Sequence, residues 1–268
     1  MATATVVSLI NSDQRGFIST MDKQLPNGVS EQRWREAQVW ERAFWDRQNV
    51  PSPWWKRVLR PLLVAVGLRE SLEKPTFDDR NLWWRNQFDN YSMLPATIDR
   101  MCELGCGPYT NTRLIIQGRD AEIIVCSDPL AAVYATYPSA WLATAYREAR
   151  VTLDSHPAEE SPFPSDHFNV VVMINVLDHV RAPERCLEQA FRITEPGGIF
   201  VFGQDLTGDA DQKPYNPGHP FTLDHEQLIP WLDERYERVF IRMVPREEID
   251  EPAMHYGALC YIGRNRNG

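Results

Sequence analysis

The chain has 268 residues, enough for one large α/β domain with a helical extension, and its 43% hydrophobic and 24% charged content excludes wholesale disorder. A net charge of −9 argues against a protein that tracks a nucleic-acid backbone, which needs a basic surface. The charge is uneven: residues 1–95 hold 13 Lys/Arg against 11 Asp/Glu, whereas residues 96–268 hold 15 against 26.

The first 29 residues are polar, contain the turn signal Pro26-Asn27-Gly28 and lack the basic and apolar segments of a secretory leader. Ser30 offers an N-cap to a helix through about Arg47, with Trp34, Ala37, Trp40 and Phe44 at helical spacing. Pro51 and Pro53 break it. Residues 54–69 mix Trp, basic residues and an apolar run, a pattern that suits a membrane surface, and suits a buried helix or homodimer contact better. Residues 70–95 read as a connector with a short helix near 81–90. Seven of the nine tryptophans fall before residue 96, so residues 1–95 are expected to form a Trp-rich helical cap.

From residue 96 to 268 short apolar runs alternate with helical patterns, the signature of a doubly wound parallel sheet. Strands are expected at 98–104, 122–126, 150–153, 168–174 and 199–203. Helices are expected at 110–117, over most of 130–149, at 183–193 and at 223–234. Two last strands, 239–244 and 258–262, are expected to pair as a hairpin-like end. The predicted fold is thus an α/β, seven-stranded, mostly parallel sheet. The scattered Cys102, Cys106, Cys126, Cys186 and Cys260 form no C-x-x-C pair and are read as reduced thiols of a cytoplasmic protein. No run of about 18 apolar residues predicts a transmembrane helix.

Leaving the first predicted strand is Glu103-Leu104-Gly105-Cys106-Gly107-Pro108, a glycine turn that lets main chain approach a ligand. By itself a G-x-G is equally a tight structural turn. Asp128 closes the second strand, where a carboxylate can accept two ribose hydroxyls or simply shape a turn, and Pro129 gives an edge for a flat base. With Ala158-Glu159-Glu160-Ser161-Pro162-Phe163, Asn175-Val176-Leu177-Asp178-His179-Val180 and Glu195-Pro196-Gly197-Gly198, the series resembles the class I S-adenosylmethionine-dependent methyltransferases, and their methyltransferase-11-like group in particular, over about residues 94–205. The resemblance implies a Rossmann-like fold and S-adenosyl-L-methionine as cofactor. It implies that Gly105, Cys106 and Gly107 border the methionine and ribose, that Glu103 holds the loop or the amino group, and that Asp128 holds the ribose. Ala158 and Glu159 would lie beside adenine, and Asn175 beneath the sulfonium. Ser161 and Asn169 depart from the usual Leu and Asp of that family. Tyr91 is read either as a cover on the cofactor or as a core aromatic.

For the acceptor the sequence offers less. His179 follows the fourth strand and Asp205 the fifth, both at the C-terminal edge where such sheets bind ligands, and a His oriented by a carboxylate is a workable base for a hydroxyl. This spacing resembles that of sugar O-methyltransferases. His219, in a Pro/Gly loop, is a second catalytic candidate and His255 a weaker third. Trp83, Trp84 and Arg85 lie nearest the loop in sequence and are the candidate substrate contacts; the other tryptophans are read as packing. The leading expectation is O-methylation of a sugar hydroxyl on a glycan or glycosylated small molecule. The alternatives are a quinone, lipid or amine acceptor, or a non-catalytic partner that kept the fold. No metal is expected, because no Asp-Asp pair closes the fourth or fifth strand, and Asp209 and Asp211 sit in a long connection.

Overall fold

The computed structural model describes residues 25–49, 77–206, 217–248 and 257–267. The expectations placed on residues 54–69 and on Asp209, Asp211 and His255 lie outside these. Seven strands form one sheet: β1 (Thr97–Leu104), β2 (Asp120–Ser127), β3 (Thr152–Asp154), β4 (Phe168–Ile174), β5 (Thr194–Asp205), β6 (Tyr236–Val244) and β7 (Ala258–Asn265). Their spatial order is β3-β2-β1-β4-β5-β7-β6, with β7 antiparallel to both neighbours and the other pairs parallel. The hairpin-like end is therefore inserted: the last strand slots between β5 and β6.

Position in the sheet follows from side chains. β4 carries Val170, Val171, Val172, Met173 and Ile174 in succession, all buried, as a central strand covered on both faces requires. On one face Val171, Met173, Phe200 and Phe202 pack against helices α6 (Pro183–Ile193) and α7 (His225–Arg235). On the other, Val170, Val172, Ile199 and Val201 meet Trp84 and Phe88, borne by or next to α2 (Phe77–Gln87), and Leu114 and Ile115 of α3 (Thr112–Ile115). Helices α4 (Ala131–Tyr134) and α5 (Trp141–Arg147) cover Ile124 and Cys126 of β2.

Several boundaries differ from expectation. The expected helical content of 130–149 is divided between two short helices, because Pro138 biases Tyr137 away from helical backbone. Pro196-Gly197-Gly198, which the expected bounds leave between the helix at 183–193 and the strand at 199–203, lies within β5. Gly197 takes φ +74° there, and the β4 pairing shifts register between Phe168 and Val170 to absorb it. The helix expected at 110–117 shrinks to four residues.

The region expected to be a cap divides in two. α2 and the turn after it belong to the core of the sheet: Trp84, Phe88 and Tyr91 are buried in it. α1 (Glu31–Gln48), capped by the Ser30 hydroxyl accepting from Arg33 N, lies instead across the C-terminal ends of the parallel strands. No helix among the described residues is long and apolar enough to cross a membrane.

Candidate active site at the C-terminal edge of the sheet

The chain leaves β1 through Gly105 (φ +70°) and Gly107 (φ +56°). A Cβ on Gly105 would stand 2.4 Å from Val176 Cγ2, so only glycine lets this turn pass the segment after β4. A Cβ on Gly107 would meet nothing within 4 Å, so the turn borders open space there. Gly105 N and Cys106 N both donate to Ser127 O, at 2.8 and 3.1 Å, lashing the turn to β2. The buried Glu103 carboxylate accepts from Asn111 N (2.9 Å), Thr112 N (2.9 Å), Thr112 Oγ1 (2.6 Å) and Thr110 Oγ1. Of the two roles the sequence left open for Glu103, holding the loop is the one its bonds serve.

Asp128 closes β2 with Oδ2 accepting from Gly107 N at 3.1 Å and Oδ1 from Leu130 N at 2.8 Å. Burial pushes its carboxyl up to about 6, against the pull of those two bonds and with help from the Glu41 charge. A carboxylate so placed, beside an open glycine turn, retains lone pairs for a diol. The residues fit the ribose and methionine of the expected cofactor. Cys106 is buried against Cys126, and its thiol is raised well above the usual range, chiefly by burial, so it offers the site main chain rather than a thiolate.

Other expected contacts are engaged elsewhere. Glu159 is buried and accepts from Arg181 N and Ala182 N at 2.5 and 3.0 Å, which fixes the entry to α6. Ala158 is buried in the adjoining core, and Pro129 stays partly exposed beside Asp128. Asn175, at φ +59°, holds the ends of β4 and β5 together: its N donates to Gly203 O at 2.7 Å and its Oδ1 accepts from Asp205 N at 3.2 Å. Tyr91 is fully buried between Phe88 and the sheet, so it packs in the core instead of closing over the cofactor. Trp84 is likewise core, with Cζ3 3.0 Å from the position of a Gly203 Cβ; Trp83 stands edge-on to it, and Arg85 lies beside Tyr91. Of the three, Trp84 is buried in the core and Trp83 and Arg85 are partly exposed.

The expected His179/Asp205 pair does not form. Gln204 points toward the segment after β4, where Nε2 donates to Asp178 Oδ1 at 3.0 Å and Oε1 accepts from Leu177 N at 3.0 Å. Side chains alternate along a strand, so Asp205 faces the opposite side, the side of Gly203 and Trp84. Among the described residues the carboxylates that reach His179 are Glu41, 3.6 Å from Nδ1, and Asp178, 3.8 Å from Nε2. His179 Nδ1 also lies 3.1 Å from Gly218 O; a carbonyl only accepts, so Nδ1 carries the proton. His219 is brought in as expected of a loop histidine: its ring stands perpendicular to His179 at 4.4 Å, with Nδ1 3.7 Å from Asp178 Oδ2. Burial works to raise the Asp178 carboxyl, but His179, His219 and the Gln204 bond outweigh it and hold it below the usual carboxylate range.

α1 covers this edge. Trp40 lies on Gly218, whose Cβ would be 2.4 Å from its ring, and stacks on Phe44 at 5.5 Å. Trp45 rests against Tyr109 and Tyr134. Arg33 donates to Pro217 O at 2.7 Å and Tyr137 to Asp46 at 2.7 Å, anchoring both sides of the helix. Glu41, between these aromatics, is felt by both Asp128 and His179. Sequence reading passed over Glu41 and Asp178. The available signal was a carboxylate one residue after Trp40 in an otherwise apolar helical stripe.

Residues 102–202 match a family model described as a methyltransferase domain. A curated protein of Mycolicibacterium smegmatis, named as a probable S-adenosylmethionine-dependent methyltransferase, is 26% identical over 177 residues. These are 63% of this chain and 64% of that protein, so the chain spans just under two thirds of its length. Among solved structures, the cyclase SpnF is similar at TM-score 0.53 and 16% identity, over 71% of this chain and 81% of that one. The N-methyltransferase NodS of Bradyrhizobium japonicum, solved with S-adenosyl-L-homocysteine, is similar at 0.50 and 16%, over 72% and 89%.

Proposed function

From the premise that this chain carries a class I S-adenosylmethionine-dependent methyltransferase domain, we propose that it transfers a methyl group to a hydroxyl of a small-molecule acceptor, with a sugar as the favoured class. S-adenosylmethionine, when bound, supplies a methyl carbon activated by positively charged sulfur. The fold alone also serves a cyclase, so the reading rests on the site. What carries it is the imidazole of His179, set at the end of β4 beneath an aromatic cover.

Asp128 and the Gly105–Gly107 turn hold the donor; Trp40, Phe44 and Trp45 exclude water and offer flat faces to a pyranose ring. An alcohol is a poor nucleophile until its proton leaves. With Nδ1–H held by Gly218 O and favoured by the Glu41 carboxylate, the Nε2 lone pair accepts that proton, and the nearby charge of Asp178 stabilises the imidazolium.

Transfer of labelled methyl across an acceptor panel tests this. His179→Gln is expected to lower transfer by roughly a hundredfold to ten-thousandfold with unchanged S-adenosylhomocysteine affinity, and Asp205→Asn to leave transfer close to the parent level. Undiminished transfer by His179→Gln would sink the base assignment. Calorimetry with no cofactor binding at all would sink the donor and favour a non-catalytic partner.

A further inference from the structure

We propose that Asp178, His179 and His219 form a binding site for one divalent transition-metal ion at the acceptor end of the cleft. One ligand atom from each lies within 4.8 Å of the other two. The facing pairs, Asp178 Oδ1 with His179 Nε2 at 3.8 Å and Asp178 Oδ2 with His219 Nδ1 at 3.7 Å, are too far apart for hydrogen bonds. They are close to the ~3.4 Å that separates two ligands each about 2.0–2.1 Å from a tetrahedral ion. To close the site, one Asp178 oxygen must serve both histidines and the two imidazole nitrogens, now within 4.8 Å, must draw together to the same separation.

Two imidazoles and one carboxylate suit Zn2+, Co2+, Ni2+ or Fe2+ rather than Mg2+ or Ca2+, which prefer all-oxygen shells. The outer shell has the form such sites use. His179 Nδ1–H points at Gly218 O with Glu41 behind it, which directs the Nε2 lone pair toward Asp178. Asp178, nearly fully buried, is itself oriented by Gln204, whose other amide atom is fixed on Leu177 N. His219 rides on a loop pinned at Pro217 by Arg33 and at Gly218 by Trp40. Among the described residues the site offers three ligands, the number that catalytic zinc sites use.

Binding of the ion stands apart from methyl transfer: a metal-bound His179 Nε2 cannot also take the acceptor's proton, so in the ion-loaded chain the ion acidifies the hydroxyl instead, a purpose that rests only on the hydroxyl acceptor proposed above. The full chain, stripped with chelator, is dialysed against Co2+ and against Zn2+, then analysed for metal content and Co2+ absorption. One ion per chain is expected, with the intense visible bands of low-coordinate Co2+ and no displacement by Mg2+. His219→Ala and Asp178→Asn should each weaken binding at least ~100-fold while S-adenosylhomocysteine binding, measured separately, is kept. Absent stoichiometric uptake, or equal uptake by His219→Ala, overturns the site. Transfer undiminished after stripping overturns the activating role, whereas loss of transfer that Zn2+ or Co2+ restores supports it. A chain that binds the ion and the cofactor yet transfers to no acceptor defeats the function proposed above and leaves the ion site standing.

Discussion

Asp128 shows how a single residue carries opposing demands. Its carboxyl is raised from 3.8 to about 6, mainly by burial, so the folded chain binds the proton more tightly than the unfolded one. The folded state therefore holds extra proton between those values, and stability falls as pH rises through that window. At neutral pH the ionised Asp128 is a cost to folding. Asp128→Asn is expected to melt higher than the parent near neutral pH, with the gap closing as pH drops toward 3.8, as scanning calorimetry would register. The same change should weaken cofactor binding by roughly ten- to hundredfold, the worth of hydrogen bonds to a charged group. For the parent, affinity should decline as pH falls below about 6. Residues of this kind were legible because strand end, glycine turn and carboxylate sit close in sequence. Glu159 was not: that its carboxylate turns inward to Arg181 and Ala182 depends on where α6 begins in space.

Among the elements, strands were easier to read than helices. The continuous apolar run of β4 has one solution, a strand buried on both faces, and its bounds are as expected from sequence. The stretch 130–149 carries enough alanine and leucine to look mostly helical, and a single proline divides it. α1 was legible as a helix and illegible as a cover, since its apolar stripe reads like any core face and yet only Ala37 is buried. With so little burial, α1 leans on its ends. Ser30→Ala is expected to cost about 1 kcal/mol of local stability, seen as faster amide exchange across 31–48 with β4 unchanged. Equal exchange in both proteins would mean that the Arg33, Asp46 and aromatic anchors hold the helix without its cap.

Across the whole molecule, topology assembles what the chain separates. Asp178 and His179 lie in the segment after β4, His219 comes 40 positions after His179 and beyond β5, and Glu41 arrives from the far N-terminal side; no local motif joins them. The α/β class and the sheet were readable from rhythm alone, whereas the pairing of His179 needed the strand's alternation to be phased, which sets Gln204 on the face of Asp178 and Asp205 on the face of Trp84. The overall charge of −9, concentrated after residue 95, acts over distances that contacts do not. S-adenosylmethionine carries one more positive charge than its demethylated product. Its affinity should therefore fall more steeply with added salt than that of S-adenosylhomocysteine, in parallel calorimetric titrations. Matching salt slopes would confine the electrostatics to the immediate contacts.

The seat of Trp40 on Gly218 has a practical meaning for redesign. Because a methyl group at position 218 would stand 2.4 Å from the indole, the histidine-bearing loop and the covering helix share one lock, cut from both sides. Substrate range in such a scaffold cannot be broadened by grafting a foreign loop alone. Libraries that vary 217–219 with 40 and 44 held constant would sample mostly jammed pairs, whereas combinatorial variation of both elements explores shapes the cleft is able to adopt.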